Sequence, residues 1–213
     1  MRRVGIFGGT FNPPHLGHLN IVTEFIRKME LDEVLIIPAC VPPHKAAPDL
    51  AAAELRLDMC RHAFQELPVT VSSIEMEREG KSYTYDTLQE LTRQYAERDA
   101  AEGNDEGTQF FFLMGDDMLL YFPHWYRAKG ILSLCTVVSS IRSNAVSIEA
   151  LEAFAKTNFP EEYDAGKFVF LHMTPVRVSS SQIRERVYEG QDIRQLVTPY
   201  VADLIQEKGL YKA

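Results

Sequence analysis

The sequence predicts an α/β fold with a doubly wound, mostly parallel sheet, of the Rossmann-like kind. Three observations predict it: short all-apolar runs, amphipathic stretches of helical spacing between them, and Gly or Pro closing the runs. The 213 residues are 46% hydrophobic and 24% charged, a composition that supports an apolar core and excludes a disordered polymer. One domain over residues 1–213 is expected, because single α/β domains commonly reach this length.

Val4-Gly5-Ile6-Phe7 is the first strand, closed by Gly8-Gly9. From Leu16 onward, Leu19, Val22, Phe25, Ile26 and Met29 recur at helical spacing, with Glu24, Arg27 and Lys28 turned elsewhere. Val34 to Ile37 is apolar throughout, as a parallel strand buried on both faces would be, and a Pro-rich connection from Pro38 to Pro48 follows it. Leu50 to Leu67 is helical through Leu55, Met59, Ala63 and Phe64; Val69 to Ile74 is strand-like; Tyr85 to Arg98 is helical. Ala100 to Thr108 is polar and Gly-bearing, and is expected to be a solvated loop without chemistry. Phe110 to Met114, Cys135 to Ser140 and Phe168 to His172 are further strands, so the alternation of strand and helix persists. In such sheets ligands bind beyond the carboxyl ends of the strands, where the strand order reverses.

Twenty-two basic against thirty acidic residues give a formal charge of −8, which repels a nucleic-acid polyanion and still allows a local cluster of donors to hold a small anion. Cys40, Cys60 and Cys135 are odd in number, widely spaced and without C-x-x-C, so neither a disulfide framework nor a zinc site is expected. The apolar opening before Gly8 is too short for a signal-peptide core, and no run of about eighteen apolar residues suggests a membrane span. A cytoplasmic protein is expected, with a homo-oligomer left open.

The strongest local signal is Gly8-Gly9-Thr10-Phe11-Asn12-Pro13-Pro14-His15-Leu16-Gly17-His18, which joins the first strand to the first helix. Glycines let backbone N–H groups approach an anion, and the helix N-terminus adds partial positive charge. His15 and His18, three apart, fall on one face of that helix start and can reach the same phosphate, with Gly17 keeping the face open. The blander reading is a Gly-Gly turn, prolines setting the helix start, and two solvated histidines; the conjunction of all these features favours a phosphate site. Neither G-x-G-x-x-G nor a Walker A sequence is present, so hydride transfer and P-loop hydrolysis lose support.

Further segments follow in order: Pro42-Pro43-His44-Lys45, Lys81-Ser82-Tyr83-Thr84-Tyr85-Asp86-Thr87-Leu88, Phe112-Leu113-Met114-Gly115-Asp116-Asp117 with Trp125, and Ser179-Ser180-Ser181-Gln182-Ile183-Arg184. Read by themselves, Lys45 is a loop cation, Thr84 or Ser82 caps a helix, Trp125 is an anchor, and the acids close a strand or bind Mg²⁺ or ribose hydroxyls. Ser179 and Gln182 have the spacing of a capping box, while the same helix start offers hydroxyl donors and the fork of Arg184 to phosphates. With the opening motif, these segments resemble the H-x-G-H nucleotidyltransferases, and more narrowly the sequence is similar to the bacterial nicotinate-nucleotide adenylyltransferases.

The resemblance implies a Rossmann-like nucleotidyltransferase fold. It also implies adenylyl transfer from ATP, with Mg²⁺, to nicotinate mononucleotide, giving the deamido dinucleotide and pyrophosphate in the making of NAD. It places His15, His18 and Arg184 in catalysis. Gly8, Gly9, Thr10, Phe11, Gly115, Asp117, Ser179, Ser180 and Ser181 would join them around ATP. Asn12, Lys45, Thr84, Tyr85 and Trp125 would border the pyridine nucleotide, with Trp125 stacking on its ring. No protein ligand to a metal is assigned. The sequence departs from the family pattern at Asn12, where many relatives carry Asp, and at Asp116, where Ala is usual. It departs again at Val178, in place of Ile, and at Ser143-Asn144 after Arg142, in place of Pro-Gly. The alternatives are a phosphopantetheine-type adenylyltransferase, against which the Pro-Pro-His-Lys and Lys-Ser-Tyr-Thr segments speak, and a nucleotide sensor without turnover.

Overall fold

A computed structural model of the chain describes residues 1–39, 49–78, 82–141, 146–174 and 176–212. The strands are β1 (Arg2–Gly9), β2 (Glu33–Pro38), β3 (Val69–Val71), β4 (Thr108–Gly115), β5 (Thr136–Ile141) and β6 (Phe168–His172). The helices are α1 (Leu16–Met29), α2 (Ala53–Ala63), α3 (Thr84–Glu102), α4 (Asp116–Tyr121), α5 (Ala128–Leu134), α6 (Ile148–Asn158), α7 (Pro160–Asp164), α8 (Ser180–Tyr188) and α9 (Pro199–Glu207). A 3-10 turn, Phe122–His124, follows α4.

The strands form one parallel six-stranded sheet in the order β3-β2-β1-β4-β5-β6, with helices on both sides, as the alternating apolar runs predict. This is the order of a doubly wound sheet, and it reverses between β1 and β4. In register, Val4 lies opposite Phe110 and Ile6 opposite Phe112, while Leu113 of β4 faces Val138 of β5. Among the described residues no helix is long and apolar enough to cross a membrane.

The chain divides into two compact units, one of residues Met1–Phe7, Glu24–Val34 and Tyr83–Pro175, the other of Gly8–Thr23, Leu35–Ser82 and Val176–Ala213. In the first unit, Val4, Phe25, Val34, Leu88, Leu113, Val137 and Val138 are buried. Gly5 lets the first strand lie close to its neighbours: a Cβ there would sit 2.6 Å from Phe25 and 2.7 Å from Leu31. In the second unit, Val22, Ile36, Met59, Phe64, Ile183 and Val201 are buried.

The expected loop from Ala100 is shorter than its polarity suggests, because α3 runs on to Glu102 and stops at Gly103, whose φ of 67° is the left-handed conformation glycine adopts freely. The residues beyond it are a bracket around Asp99, which accepts from Arg2 Nη1 at 2.8 Å, Asn104 Nδ2 at 2.7 Å and Thr108 Oγ1 at 2.7 Å. Burial alone would raise the Asp99 pKa; the hydrogen bonds from Thr108 and Asn104 and the Arg2 guanidinium outweigh it and hold the carboxyl below its usual range. A carboxyl lowered in the folded chain stabilises fully above its unfolded pKa, and that contribution is lost as pH falls through the folded value. Asp99→Ala is therefore expected to cost about 3 kcal/mol at pH 7, roughly 6–12 °C in thermal midpoint. The deficit against the parent should shrink below about pH 4. Thermal scans at pH 7 and pH 3 check both statements.

Candidate active site

Within the second unit, β1 ends in Gly8-Gly9 and the chain crosses Thr10 to Pro14 before α1 begins. The two glycines serve different needs. A Cβ on Gly9 would lie 3.1 Å from the Phe11 ring, a tight approach, whereas among the described residues a Cβ on Gly8 would meet only the Ile37 carbonyl at 4.0 Å. Among the described residues nothing crowds Gly8, and the main chain there is open to a ligand. Phe11 is buried and holds a left-handed φ of 47°, which an aromatic residue keeps only where its surroundings enforce it. Two guanidiniums help to enforce it: the buried Arg56 donates to Thr10 O at 2.9 Å, Ala39 O at 2.7 Å and Ala51 O at 3.0 Å, and Arg184 donates to Asn12 O at 2.9 Å.

His15 occupies the N-cap of α1, its carbonyl accepting from Leu19 N–H. Its Nδ1 accepts the His18 backbone N–H at 3.3 Å, and His18 Nδ1 accepts the His15 backbone N–H at 3.2 Å. This is a reciprocal capping box in which two imidazoles replace the usual Ser and Glu. The rings stack with centroids 3.7 Å apart and planes inclined by 19°. With both Nδ1 atoms accepting from the backbone, a neutral imidazole at either position carries its proton on Nε2. Gly17 does not leave open space, as the sequence suggests; a Cβ there would lie 3.0 Å from the His15 ring and from Val178. It is small so that the first imidazole can lie against the helix.

The start of α8 is fastened to this motif through three serines with three tasks. Ser179 is the N-cap, its Oγ accepting from Gln182 N–H at 3.2 Å. Ser180 Oγ donates to Pro13 O at 2.9 Å, and Ser181 Oγ accepts from Arg184 Nη2 at 3.4 Å. The expected Ser179 cap is present, and the same helix start is tied to Pro13 and to Arg184. Gly8 to Phe11, His15, His18, Ser179 to Ser181 and Arg184 all lie in this unit. Asn12, expected beside the pyridine nucleotide, is 3% exposed. Its Oδ1 accepts from Ala51 N–H at 3.0 Å and Tyr211 O–H at 2.8 Å, and its Nδ2 donates to Asp49 O at 2.9 Å. With both Oδ1 lone pairs engaged, Asn12 is a tie within the protein.

The other unit holds Gly115, Asp117, Thr84, Tyr85 and Trp125. Gly115 is the N-cap of α4, whose first turn carries Asp116 and Asp117, where carboxylates favour the helix dipole. Thr84 opens α3 behind Tyr83, the N-cap, which makes no side-chain cap; the hydroxyl of Ser82 is buried with no partner among the described residues, so neither Thr84 nor Ser82 is the expected cap. The Tyr85 ring lies against α5, where a Cβ on Gly130 would come within 2.5 Å of it, and the Arg127 guanidinium lies 5.0 Å from its centroid. Trp125 packs edge-on to Phe112 and Phe122, centroids 6.1 and 5.5 Å away, and its indole N–H is buried with no partner among the described residues. Lys45 and Arg142 lie outside the described residues.

Residues 6–186 match the model of the cytidylyltransferase-like family. The probable nicotinate-nucleotide adenylyltransferase of Shouchella clausii is 41% identical over 212 residues, covering 99% of this chain and 97% of its own. That of Geobacillus kaustophilus is 41% identical over 215 residues, covering 100% of this chain and 88% of its own. The chain belongs to the nicotinate-nucleotide adenylyltransferases. In fold, this adenylyltransferase is similar to a Plasmodium falciparum nicotinic acid mononucleotide adenylyltransferase complexed with NaAD, at a TM-score of 0.76 and 16% identity over 99% of this chain and 98% of that one.

Nucleotidyltransferases generally use a divalent metal. In this adenylyltransferase no group of three or more His, Cys, Asp or Glu among the described residues is placed to hold one. A cavity of about 460 Å³ lined in part by Leu19, His62, Leu67 and Tyr200 contains none of the expected site residues. Two residues hydrogen-bonded to the Thr10–Asn12 turn escape the sequence reading. Arg56 shares the buried face of α2 with Met59, Cys60 and Ala63, and a charged residue on an apolar helical stripe is a readable signal. Tyr211 carries no such signal.

Proposed function

We propose that this chain transfers the adenylyl group of ATP to nicotinate mononucleotide, forming nicotinate adenine dinucleotide and pyrophosphate. A 5′-phosphate oxygen of the acceptor bonds to the α-phosphorus of ATP in line, and the bond from that phosphorus to the bridging oxygen of the β-phosphate breaks. The attacking oxygen is already anionic near pH 7, so alignment and charge neutralisation are the protein's work. Mg²⁺ accompanies ATP as part of the substrate and neutralises phosphate charge.

The observation that supports this reading is the histidine capping box, to whose entry turn the α8 start is tied by Ser180 at Pro13 O and by Arg184 at Asn12 O. In this reading His15 and His18 donate to phosphate oxygens as charge gathers, Arg184 and the helix start around Ser180 hold the departing pyrophosphate, and the open main chain at Gly8 approaches the nucleotide. Gly115 and Asp117 serve the ATP side. Thr84, Tyr85 and Trp125 serve the acceptor, with Lys45 expected beside them. Asn12 acts by holding the turn.

Residues 1–213 would act as one nucleotidyltransferase domain in the cytoplasm. A reducing compartment suits Cys60 and Cys135, both free and buried, where burial pushes the Cys135 thiol up to about 12 and that of Cys60 up as well.

The test is pyrophosphate release from MgATP with nicotinate mononucleotide or nicotinamide mononucleotide offered separately. Release with the carboxylate acceptor at a kcat/KM at least tenfold above the amide is expected. Preference for the amide overturns the acceptor, and ATP binding without release with either overturns the reaction.

A further inference from the structure

The segment after α9 returns to the phosphate-binding turn by a defined route. Gly209 N–H donates to Gln206 O and Leu210 N–H to Ile205 O, the paired bonds of a Schellman stop, with Gly209 at a left-handed φ of 61°. Tyr211 then adopts a left-handed φ of 63°, a conformation a bulky side chain keeps only when something holds it. Its hydroxyl donates to Asn12 Oδ1 at 2.8 Å. Burial pushes the phenol pKa upward, against the lowering influence of Arg184 and Arg56, so the hydroxyl remains a donor.

That hydrogen bond ends on the residue that follows Phe11. The Phe11 ring is buried, meets the His18 ring edge-on with centroids 5.0 Å apart, and meets Phe64 at 6.1 Å. The Asn12 carbonyl, on the same peptide unit as the cis Asn12–Pro13 bond, accepts from Arg184. The Asn12 side chain is thus fixed by Tyr211, Ala51 and Asp49 while its main chain sets both the Phe11 ring beside His18 and the reach of Arg184.

We infer that Tyr211 is a positioning residue for the triphosphate site: through Asn12 it holds the strained Thr10–Asn12 turn that orients the His18 imidazole and the Arg184 fork. This rests on the adenylyl-transfer reading. Tyr211 is given no contact with substrate.

Tyr211→Phe removes one oxygen and leaves the ring. The variant is expected to lower kcat by about tenfold, the scale on which one lost hydrogen bond to an aligning residue converts to rate. The KM for nicotinate mononucleotide should move less than twofold and the thermal midpoint by only a few degrees. The imidazole nitrogen resonances of His15 and His18 in a ¹⁵N spectrum should shift from the Nε2–H pattern of the parent, a readout that a merely structural role far from the histidines would not move. In an Asn12→Ala background, Tyr211→Phe should add no further loss, because the path is already cut. An unchanged kcat with unchanged imidazole signals overturns the inference, as does an equal loss in the presence and absence of Asn12. Should the parent release no pyrophosphate with either acceptor, the adenylyl-transfer reading fails, while the imidazole signals still decide whether Tyr211 sets the histidines.

Discussion

Replacing His15 by Asn is expected to leave the fold intact and lower the turnover by about 10²–10³-fold, the cost of one donor aimed at developing charge. Asn places Oδ1 where imidazole has Nδ1, so the bond from His18 N–H is preserved at one of the best N-cap residues. What disappears is the Nε2–H. His15→Gln is the reciprocal probe: its amide nitrogen reaches the Nε2 position and retains part of the activity, while the cap weakens by about 1 kcal/mol. His15→Ala should suffer both losses, and His18→Ala should lose its donor together with the acceptor for the His15 N–H. Pyrophosphate release and thermal unfolding, measured on the same preparations, separate the two functions. Near-normal turnover in a folded His15→Asn variant would strike that imidazole from the mechanism.

Arg56→Met is expected to be the most destabilising single change in the site. Met keeps much of the volume, so the loss is that of hydrogen bonds rather than of packing. Three main-chain carbonyls, at Thr10, Ala39 and Ala51, would lose the guanidinium. Unpaired buried acceptors cost about 1–3 kcal/mol each, and partial relaxation brings the expected total to about 3–5 kcal/mol. For a chain of this length that is roughly a 10 °C fall in midpoint. Arg56→Lys keeps the charge but not the planar fork, and should recover less than half of the loss. Pyrophosphate release should fall even below the melting range, because Thr10 O is on the turn that carries Phe11. A midpoint within about 2 °C of the parent for Arg56→Met would show that the three bonds are replaced by water.

Much of the sheet is legible in the sequence because parallel strands buried on both faces are continuous apolar runs. Val34 to Ile37 and Phe110 to Met114 therefore lie inside β2 and β4. Boundaries are less legible where main-chain geometry rather than hydropathy sets them. The stop at Gly103 and the Asp99 bracket turn an expected loop into a helix end and a capped strand start. Ile74 lies beyond β3, which ends at Val71, after which Ser72 N–H bonds Ile36 O.

In the candidate site, residue types announce the chemistry and spacing announces the helix start. The direction of each ring nitrogen is not written in either, since it depends on which backbone N–H an imidazole accepts. Asn12 shows the same limit. The partners of its side chain come from residues 49, 51 and 211, which the motif itself does not name. Tyr211 could not be foreseen, because its role arises from a contact across 199 positions.

The smallest residue of the signature carries a consequence for variation. Between the two histidines, one methyl group would press at once on an aromatic face and on a branched chain arriving from the far end of the sequence. A side chain at position 17 would thus oblige His15 and Val178 to give by a few tenths of an ångström together, so crowding weighs on that position before any question of reactivity arises.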